Sequence, residues 1–281
     1  MGRPKYLLLG WPVKHSLSPP MQKAAFEACG IEADYEVKPV EPQSLQQEVA
    51  RLRDEPEIAG WNVTLPHKHA MVGLVDELGP DAAAAESVNT VVKQDGKLQG
   101  YSTDGYGLEK ALEEAFGLDV GASRLVFLGT GGAAKATSVF LARQGVPAIG
   151  LINRTAEKAR VLAEIVQRLA SGCEVQWCPL DDEEGLRRLL TKADILVQST
   201  SLGLKDEDPL PLSPELVEKD TAVYEMIYRA TPFLSAVQAR GCAVEKGFGM
   251  LLHQGARSFS LWTGQPAPVE EMRRALFQAA G

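Results

Sequence analysis

After the apolar run Val126-Phe127-Leu128 the chain reads Gly129-Thr130-Gly131-Gly132-Ala133-Ala134 and then turns helical in pattern. This is G-x-G-x-x-A between a buried strand and a helix N-terminus, the junction at which doubly wound α/β sheets hold dinucleotides. A glycine triplet alone is weak evidence, because glycines also end strands for structural reasons; its place in the chain makes it informative. Gly129 suits the tight turn, Gly131 lets a pyrophosphate approach the backbone, and Ala134 allows close helix–strand packing. Free N–H groups along Gly129–Ala134, with Thr130, Gly132 and Ala133 beside the two glycines already named, and the helix dipole then favour phosphate.

The segments around this loop alternate as that fold requires. Strands are expected over 124–128, 148–152, 174–178, 195–198, 223–226 and 244–246, with helices over 134–144, 157–169, 184–190 and 232–240. The N-terminal part repeats the alternation: strands over 7–11, 34–40 and 58–65, and helices over 18–29, 44–53, 69–78 and 81–87. Ser18 is a candidate N-cap with Pro19 at the first helical position. Strands over 88–92 and 97–101 flank Asp95-Gly96, a hairpin signal. Helices over 106–116, 250–262 and 269–279 complete the chain. At 281 residues the chain sits near the limit of one core. The fold class expected is α/β, with two α/β domains and a cleft between them. Residues 1–103 plus 250–281 form one domain and 104–249 the other, a Rossmann-type nucleotide domain.

The second strand of that nucleotide domain indicates which nucleotide. An NAD site carries Asp or Glu at its tip, bonded to the ribose 2′-hydroxyl. Here the tip is Asn153-Arg154-Thr155, with Lys158 one turn later and no acid at the tip. Arg154 can lie against a 2′-phosphate that a carboxylate would repel, so NADP(H) is the cofactor expected over NAD. The structural alternative makes Arg154 a solvated loop residue and Thr155 a helix N-cap.

Lys and Arg number 29 against 37 Asp and Glu, a formal charge of −8, which argues against nucleic acid as a partner. A local basic pocket for an anionic small molecule remains compatible with that balance. Cys29, Cys173, Cys178 and Cys242 form no C-x-x-C pair, so reduced thiols and a cytoplasmic location are expected. No run of 18 apolar residues suggests a membrane span. His67 and His69 lack a third ligand at suggestive spacing, so no metal site is expected. No heptad or apolar stripe marks an interface, which leaves monomer or homodimer open.

Three N-terminal segments look unlike packing. They are residues 10–19, residues 62–68, and Val88-Asn89-Thr90 with Ser102-Thr103-Asp104-Gly105. Each puts hydroxyls, amides or charges directly after an apolar strand, where open α/β sheets bind ligands. Such side chains suit a polyhydroxylated substrate.

Together these segments resemble the shikimate dehydrogenase family. The family pattern G-x-P-x-x-H-S-x-S-P is read at Gly10–Pro19, with His15, Ser16 and Ser18; N-V-T-x-P-x-K is read at Asn62–Lys68. V-N-T falls at Val88–Thr90, T-D-G at Thr103–Gly105, G-x-G-G-A at Gly129–Ala133 and N-R-T at Asn153–Thr155. G-x-x-M-L-x-x-Q is matched by Gly247, Met250, Leu251 and Gln254. The resemblance spans the chain in order. It implies reversible NADPH-dependent reduction of 3-dehydroshikimate to shikimate, on the route to aromatic amino acids, with the first domain binding substrate. By matched position it implies Lys68 and Asp104 as the catalytic pair, and Ser16, Ser18, Thr64, Asn89, Tyr228 and Gln254 as substrate-binding residues. Met226 and Gly247 match positions that line the nicotinamide, and Thr200 matches a family loop near the cofactor. Structural alternatives are an exposed helix-start lysine at 68, an N-cap at Asp104 and a helix-surface residue at Gln254.

The chain departs from the family at Ser102 and Gln198, where Asn is usual, and at Glu225, where the family has Asp. Glu86 stands where the family tends to have Gly, and the loop after Tyr228 is shortened. Two other readings remain: a dehydrogenase preferring quinate, and a catalytically silent NADP-binding sensor of the same fold.

Overall fold

The computed structural model describes residues 2–14, 16–205 and 207–281; His15 lies outside the described residues. The chain divides into two compact units, Met1–Gly107 with Leu251–Gly281, and Leu108–Met250.

The first unit contains β1 (Lys5–Gly10), α1 (Ser18–Ala28), β2 (Asp34–Pro39), α2 (Leu45–Asp54) and β3 (Ile58–Val63). It continues with β4 (Glu77–Leu78), α3 (Pro80–Ala85), β5 (Thr90–Gln94) and β6 (Lys97–Tyr101). The strands form one sheet in the order β2-β1-β3-β5-β6-β4. β5 runs antiparallel to both neighbours, so its first residue lies at the edge where β3 and β6 end: Asn62 pairs with Thr90, and Thr90 with Tyr101. The segments following β1, β3 and β6 and the one preceding β5 therefore share one sheet edge. The β5–β6 turn closes through Asp95 (φ 51°) and Gly96 (φ 76°), the left-handed pair that a two-residue hairpin needs.

One face of this sheet buries Leu7, Leu9, Trp61, Val63 and Val91 with Val49 and Leu52 of α2. Aromatic rings gather elsewhere in the unit: Tyr6 stacks on Phe26 of α1 at 4.9 Å and meets Trp262 at 4.8 Å. Trp262 belongs to α9 (Phe248–Thr263), whose later part joins this unit together with α10 (Val269–Ala280). The Trp262 indole donates to the Val91 carbonyl at 3.0 Å. Gly60 makes that approach possible, since a Cβ there would stand 2.6 Å from the Val91 oxygen and 2.7 Å from the indole nitrogen.

The helix expected over 69–78 does not form. Its place is taken by a single 3-10 turn, Ala70–Gly73, and then β4, paired to β6 at Glu77↔Gln99 and Leu78↔Gly100. The apolar spacing of Met71, Val72, Leu74 and Val75 looks helical, but these side chains pack on the sheet core as the chain bends beneath it. The Asp76 N–H donates to the Leu98 carbonyl and its carboxylate accepts the Leu98 N–H at 2.7 Å, so strand pairing wins over helix propensity. Ser18 is not the N-cap of α1 either. Leu17 holds that place, and the Ser18 N–H donates to Ser16 Oγ at 3.2 Å.

α4 (Asp104–Phe116) leads into the second unit. There follow β7 (Arg124–Leu128), α5 (Gly132–Gln144), β8 (Ala148–Asn153), α6 (Ala156–Leu169) and β9 (Glu174–Pro179). α7 (Glu183–Leu190), β10 (Ile195–Gln198), β11 (Ala222–Glu225), α8 (Pro232–Ala239) and β12 (Val244–Lys246) complete it. The sheet order is β9-β8-β7-β10-β11-β12, every pair parallel. Counted within the unit this is 3-2-1-4-5-6, the Rossmann order, with its switch point between β7 and β10.

Candidate active site

In the first unit the three polar segments converge. Lys68 sits in a turn after β3, its carbonyl accepting the Val88 N–H at 2.9 Å. Its Nζ donates to Asp104 Oδ2 at 2.7 Å. The two partners differ in access: the Asp104 side chain is 4% exposed, the Lys68 side chain 25%. Asp104 is the first residue of α4, and its carboxylate turns to the site rather than to the helix backbone, for Asn89 Nδ2 donates to its other oxygen at 2.9 Å.

Asn89 is the hub. Its Oδ1 accepts the Thr103 N–H at 2.9 Å, which fixes the orientation of the amide. Its Nδ2 faces Asp104, the Thr103 hydroxyl at 2.9 Å and Gln254 Oε1 at 3.3 Å. Gln254 reaches this point from α9, where its Nε2 donates to the Leu251 carbonyl at 2.9 Å. Lys68, Asp104, Asn89 and Gln254 are thus one hydrogen-bonded group.

Ser16 and Ser18 join each other after β1. The buried Ser18 lies beside the Tyr35 phenol, which burial pushes well above its ordinary pKa and which donates to Asn62 Oδ1 at 2.8 Å. Asn62 Nδ2 in turn donates to the Asn89 carbonyl at 3.1 Å, tying the serine segment to the hub. Thr64, half-buried, anchors the end of β1 by donating its N–H to the Leu9 carbonyl at 2.8 Å. Both histidines considered as ligands serve backbone instead: His67 Nε2 donates to the Val40 carbonyl (2.7 Å), His69 Nδ1 to the Glu86 carbonyl (3.1 Å). No group of three metal-ligating side chains occurs among the described residues.

In the second unit the phosphate loop has the expected form. Gly129 has φ +101°, and a Cβ there would stand 2.9 Å from the Thr200 methyl and 3.0 Å from Ser199 Oγ. Its glycine serves the loop after β10 as much as the turn. Ser199 Oγ donates to the Leu128 carbonyl at 2.9 Å, closing the switch point. Cβ atoms on Gly131 and Gly132 would instead meet open space. No side chain caps α5, and the buried Thr130 hydroxyl has no partner. Exposed Gly131, Gly132 and Ala133 at an uncapped helix start, beside an unpartnered hydroxyl, fit a pyrophosphate.

At the end of β8, Arg154, Thr155 and Lys158 are exposed, and Asn153 Nδ2 holds the turn by donating to the Thr155 carbonyl at 3.1 Å. Thr155 occupies the N-cap position without a side-chain capping bond. The nearest following acid, Glu157, pairs with Arg160 at 2.6 Å. Gln198 holds the next loop, its Oε1 accepting the Thr200 N–H at 2.6 Å and its Nε2 donating to the Leu202 carbonyl at 3.0 Å. Gly247 packs its Cα onto the Met226 carbonyl, leaving no room for a Cβ, and Tyr228 stacks on Phe248 at 5.5 Å. Glu225 is fully buried; Thr231 Oγ1 donates to its Oε2 at 2.9 Å, and burial pushes the carboxyl up to about 7.

Sequence reasoning marked the segments holding Asn62, Thr90 and Thr103 without giving these residues a role, and it missed Ser258. The available signals were an amide inside the otherwise apolar β3 and a serine one helical turn beyond Gln254.

Family signatures cover most of the chain: the shikimate dehydrogenase substrate binding domain at residues 8–91, shikimate / quinate 5-dehydrogenase at 110–204, and the shikimate 5'-dehydrogenase C-terminal domain at 247–277. The NADP(+) shikimate dehydrogenase of Moorella thermoacetica is 42% identical over 279 residues, covering 98% of this chain and 92% of that one. Among solved structures, shikimate 5-dehydrogenase from Listeria monocytogenes, in complex with shikimate and NAD, superposes with a TM-score of 0.91 at 32% identity. That match covers 98% of this chain and 96% of the other. The enzyme from Thermus thermophilus, in complex with NADP(H) and shikimate, gives 0.86 at 33% identity over 98% and 99% of the two chains. The ordered motifs, the Rossmann order of the second sheet and these matches along the whole length agree: the chain belongs to the shikimate dehydrogenase family.

Proposed function

We propose that this protein reduces 3-dehydroshikimate to shikimate with NADPH, reversibly, with Lys68 and Asp104 as its catalytic pair. The observation that carries this reading is the 2.7 Å pair in which a buried carboxylate holds a partly exposed ammonium. Bound NADPH supplies the hydride that reduces the ketone carbon. Lys68 Nζ gives a proton to the oxygen as alkoxide charge develops there, and takes it back in the oxidation direction. Asp104 occupies one of the three ammonium donors and aims the others; Asn89 keeps Asp104 in place.

Ser16, Ser18, Thr64, Asn89, Tyr228 and Gln254 bind the hydroxyls and carboxylate of the substrate. Ser16 accepts the Ser18 N–H and so keeps its own proton to donate to an anionic oxygen. Gly129, Thr130, Gly131, Gly132 and Ala133 hold the pyrophosphate through N–H groups. Asn153, Arg154, Thr155 and Lys158 take the 2′-phosphate, while Met226 and Gly247 line the nicotinamide and Thr200 lies beside the cofactor. The net charge of −8 does not oppose these anions, because they are met by local donors and cations.

The test is turnover of shikimate and of quinate, each with NADP and with NAD. Shikimate with NADP is expected to give the highest kcat/KM. Preference for quinate would move the chain to a different activity in the family. Cofactor binding without turnover of either acid would make it a sensor.

A further inference from the structure

Behind Asn89 lies a pair of hydroxyls that the reaction does not touch. Thr90 and Ser258 are both 0% exposed, and their oxygens are 2.7 Å apart. Thr90 follows Asn89 directly and its hydroxyl is 3.0 Å from Asn89 Oδ1. Ser258 donates to the Gln254 carbonyl at 3.0 Å, one turn back on α9. The two oxygens are joined a second time by Asn62 Nδ2, at 3.1 Å from Thr90 and 3.0 Å from Ser258.

The protons in this cluster have little freedom. The Gln254 carbonyl only accepts, so the Ser258 proton is committed to it. Ser258 then has only lone pairs for Thr90 and Asn62. Asn62 is fixed as well, because its Oδ1 accepts from Tyr35 and its Nδ2 faces the Asn89 carbonyl. The single Thr90 proton is therefore shared between Ser258 and Asn89 Oδ1. Through that proton the start of β5, which Asn89 immediately precedes, is coupled to the helix bearing Gln254, and the Asn89 and Gln254 amides meet at the substrate end.

We infer that Thr90 and Ser258 are a positioning pair. Their joined hydroxyls hold Asn89 and Gln254 in register, and through Asn89 they hold Asp104 and the aim of the Lys68 ammonium. This rests on the reading of Lys68 and Asp104 as the catalytic pair. Neither hydroxyl contacts the reacting atoms, so both act on the alignment of the groups that do.

Three variants test the inference. Thr90→Val keeps the shape and removes the hydroxyl; Thr90→Ser keeps the hydroxyl and removes a buried methyl; Ser258→Ala removes the other partner. In steady-state kinetics Thr90→Val is expected to lower kcat about five- to tenfold, with KM for NADP unchanged. Thr90→Ser is expected to stay within about twofold of wild type in kcat, although the lost methyl lowers its melting point. Combining Thr90→Val with Ser258→Ala is expected to cost little more in kcat than the costlier of the two alone, because both break the Thr90–Ser258 bond on which the alignment rests. A Thr90→Ser enzyme as slow as Thr90→Val, or losses that multiply in the double variant, would overturn the pairing.

Hydrogen exchange of the Asn89 side-chain amide, followed by NMR without substrate, reads the same coupling independently of any activity. Exchange is expected to be at least about tenfold faster in Thr90→Val than in Thr90→Ser. Equal exchange rates would sink the inference even if the wild type proved inactive on shikimate. An inactive wild type with the expected exchange pattern would instead sink the assignment of the reaction.

Discussion

At the scale of single residues, what each polar group is tied to decides what it can bind. Arg154 projects from the end of β8 with no acid at the strand tip, and the nearest following carboxylate, Glu157, is engaged by Arg160. Its guanidinium is therefore available for a dianion, and charge-assisted bonds of that kind contribute roughly 1.5–3 kcal/mol. Arg154→Ser is expected to raise KM for NADP about ten- to a hundredfold while KM for NAD changes little. Equal effects on both cofactors would mean that Arg154 does not read the 2′-phosphate. Two departures from the family are met at this scale, of which the first is intelligible. Gln198 does with one longer amide what the loop after β10 requires, bonding both Thr200 and Leu202. Ser102 is buried with its hydroxyl unpartnered, and nothing in the structure explains the choice of serine there.

At the scale of elements, local conformation explains a third departure. Glu86 ends α3 in the left-handed region, φ 50° and ψ 46°. Glycine adopts that geometry freely, whereas a side chain strains it. Glu86→Gly is expected to stabilise the protein by about 1 kcal/mol, seen as a melting point about 2–3 °C higher. An unchanged or lower melting point would show that contacts of the Glu86 side chain outweigh the strain. The buried end of β11 gives a pH dependence. Glu225 holds its proton in the folded protein up to about pH 7, whereas an ordinary glutamate loses it near 4.5. The stability it contributes is therefore complete below about pH 4.5 and is lost as pH rises to about 7, by roughly 3 kcal/mol at most. Urea midpoints compared near pH 5 and pH 8 are expected to differ less in Glu225→Gln than in wild type. An unaltered difference would place the pH dependence on other groups.

At the scale of the molecule, the parts legible in the sequence were those where one local signal decides the outcome. The β-α alternation after Val126, the left-handed Asp95-Gly96 turn and the glycine loop are of this kind, because period, φ and close approach each restrict the residues allowed. Residues 69–78 were not legible: the same apolar spacing serves a helix or a bent chain under a sheet, and β6 decides between them. The α1 cap was misread because Ser16, two residues earlier, supplies the oxygen. Ser258 was invisible because its burial depends on α9 packing beside Asn62 and Thr90, residues far away in sequence.

The role proposed for the Lys68 ammonium, held by Asp104, is to move the proton of the reaction. It is tested most directly by kcat for shikimate oxidation in Lys68→Ala, measured at saturating NADP and shikimate beside the melting point. A fall of at least about a hundredfold in kcat is expected, the range of a lost general acid–base group, with the melting point within a few degrees of wild type. A Lys68→Ala enzyme that is folded and turns over at close to the wild-type rate would contradict it.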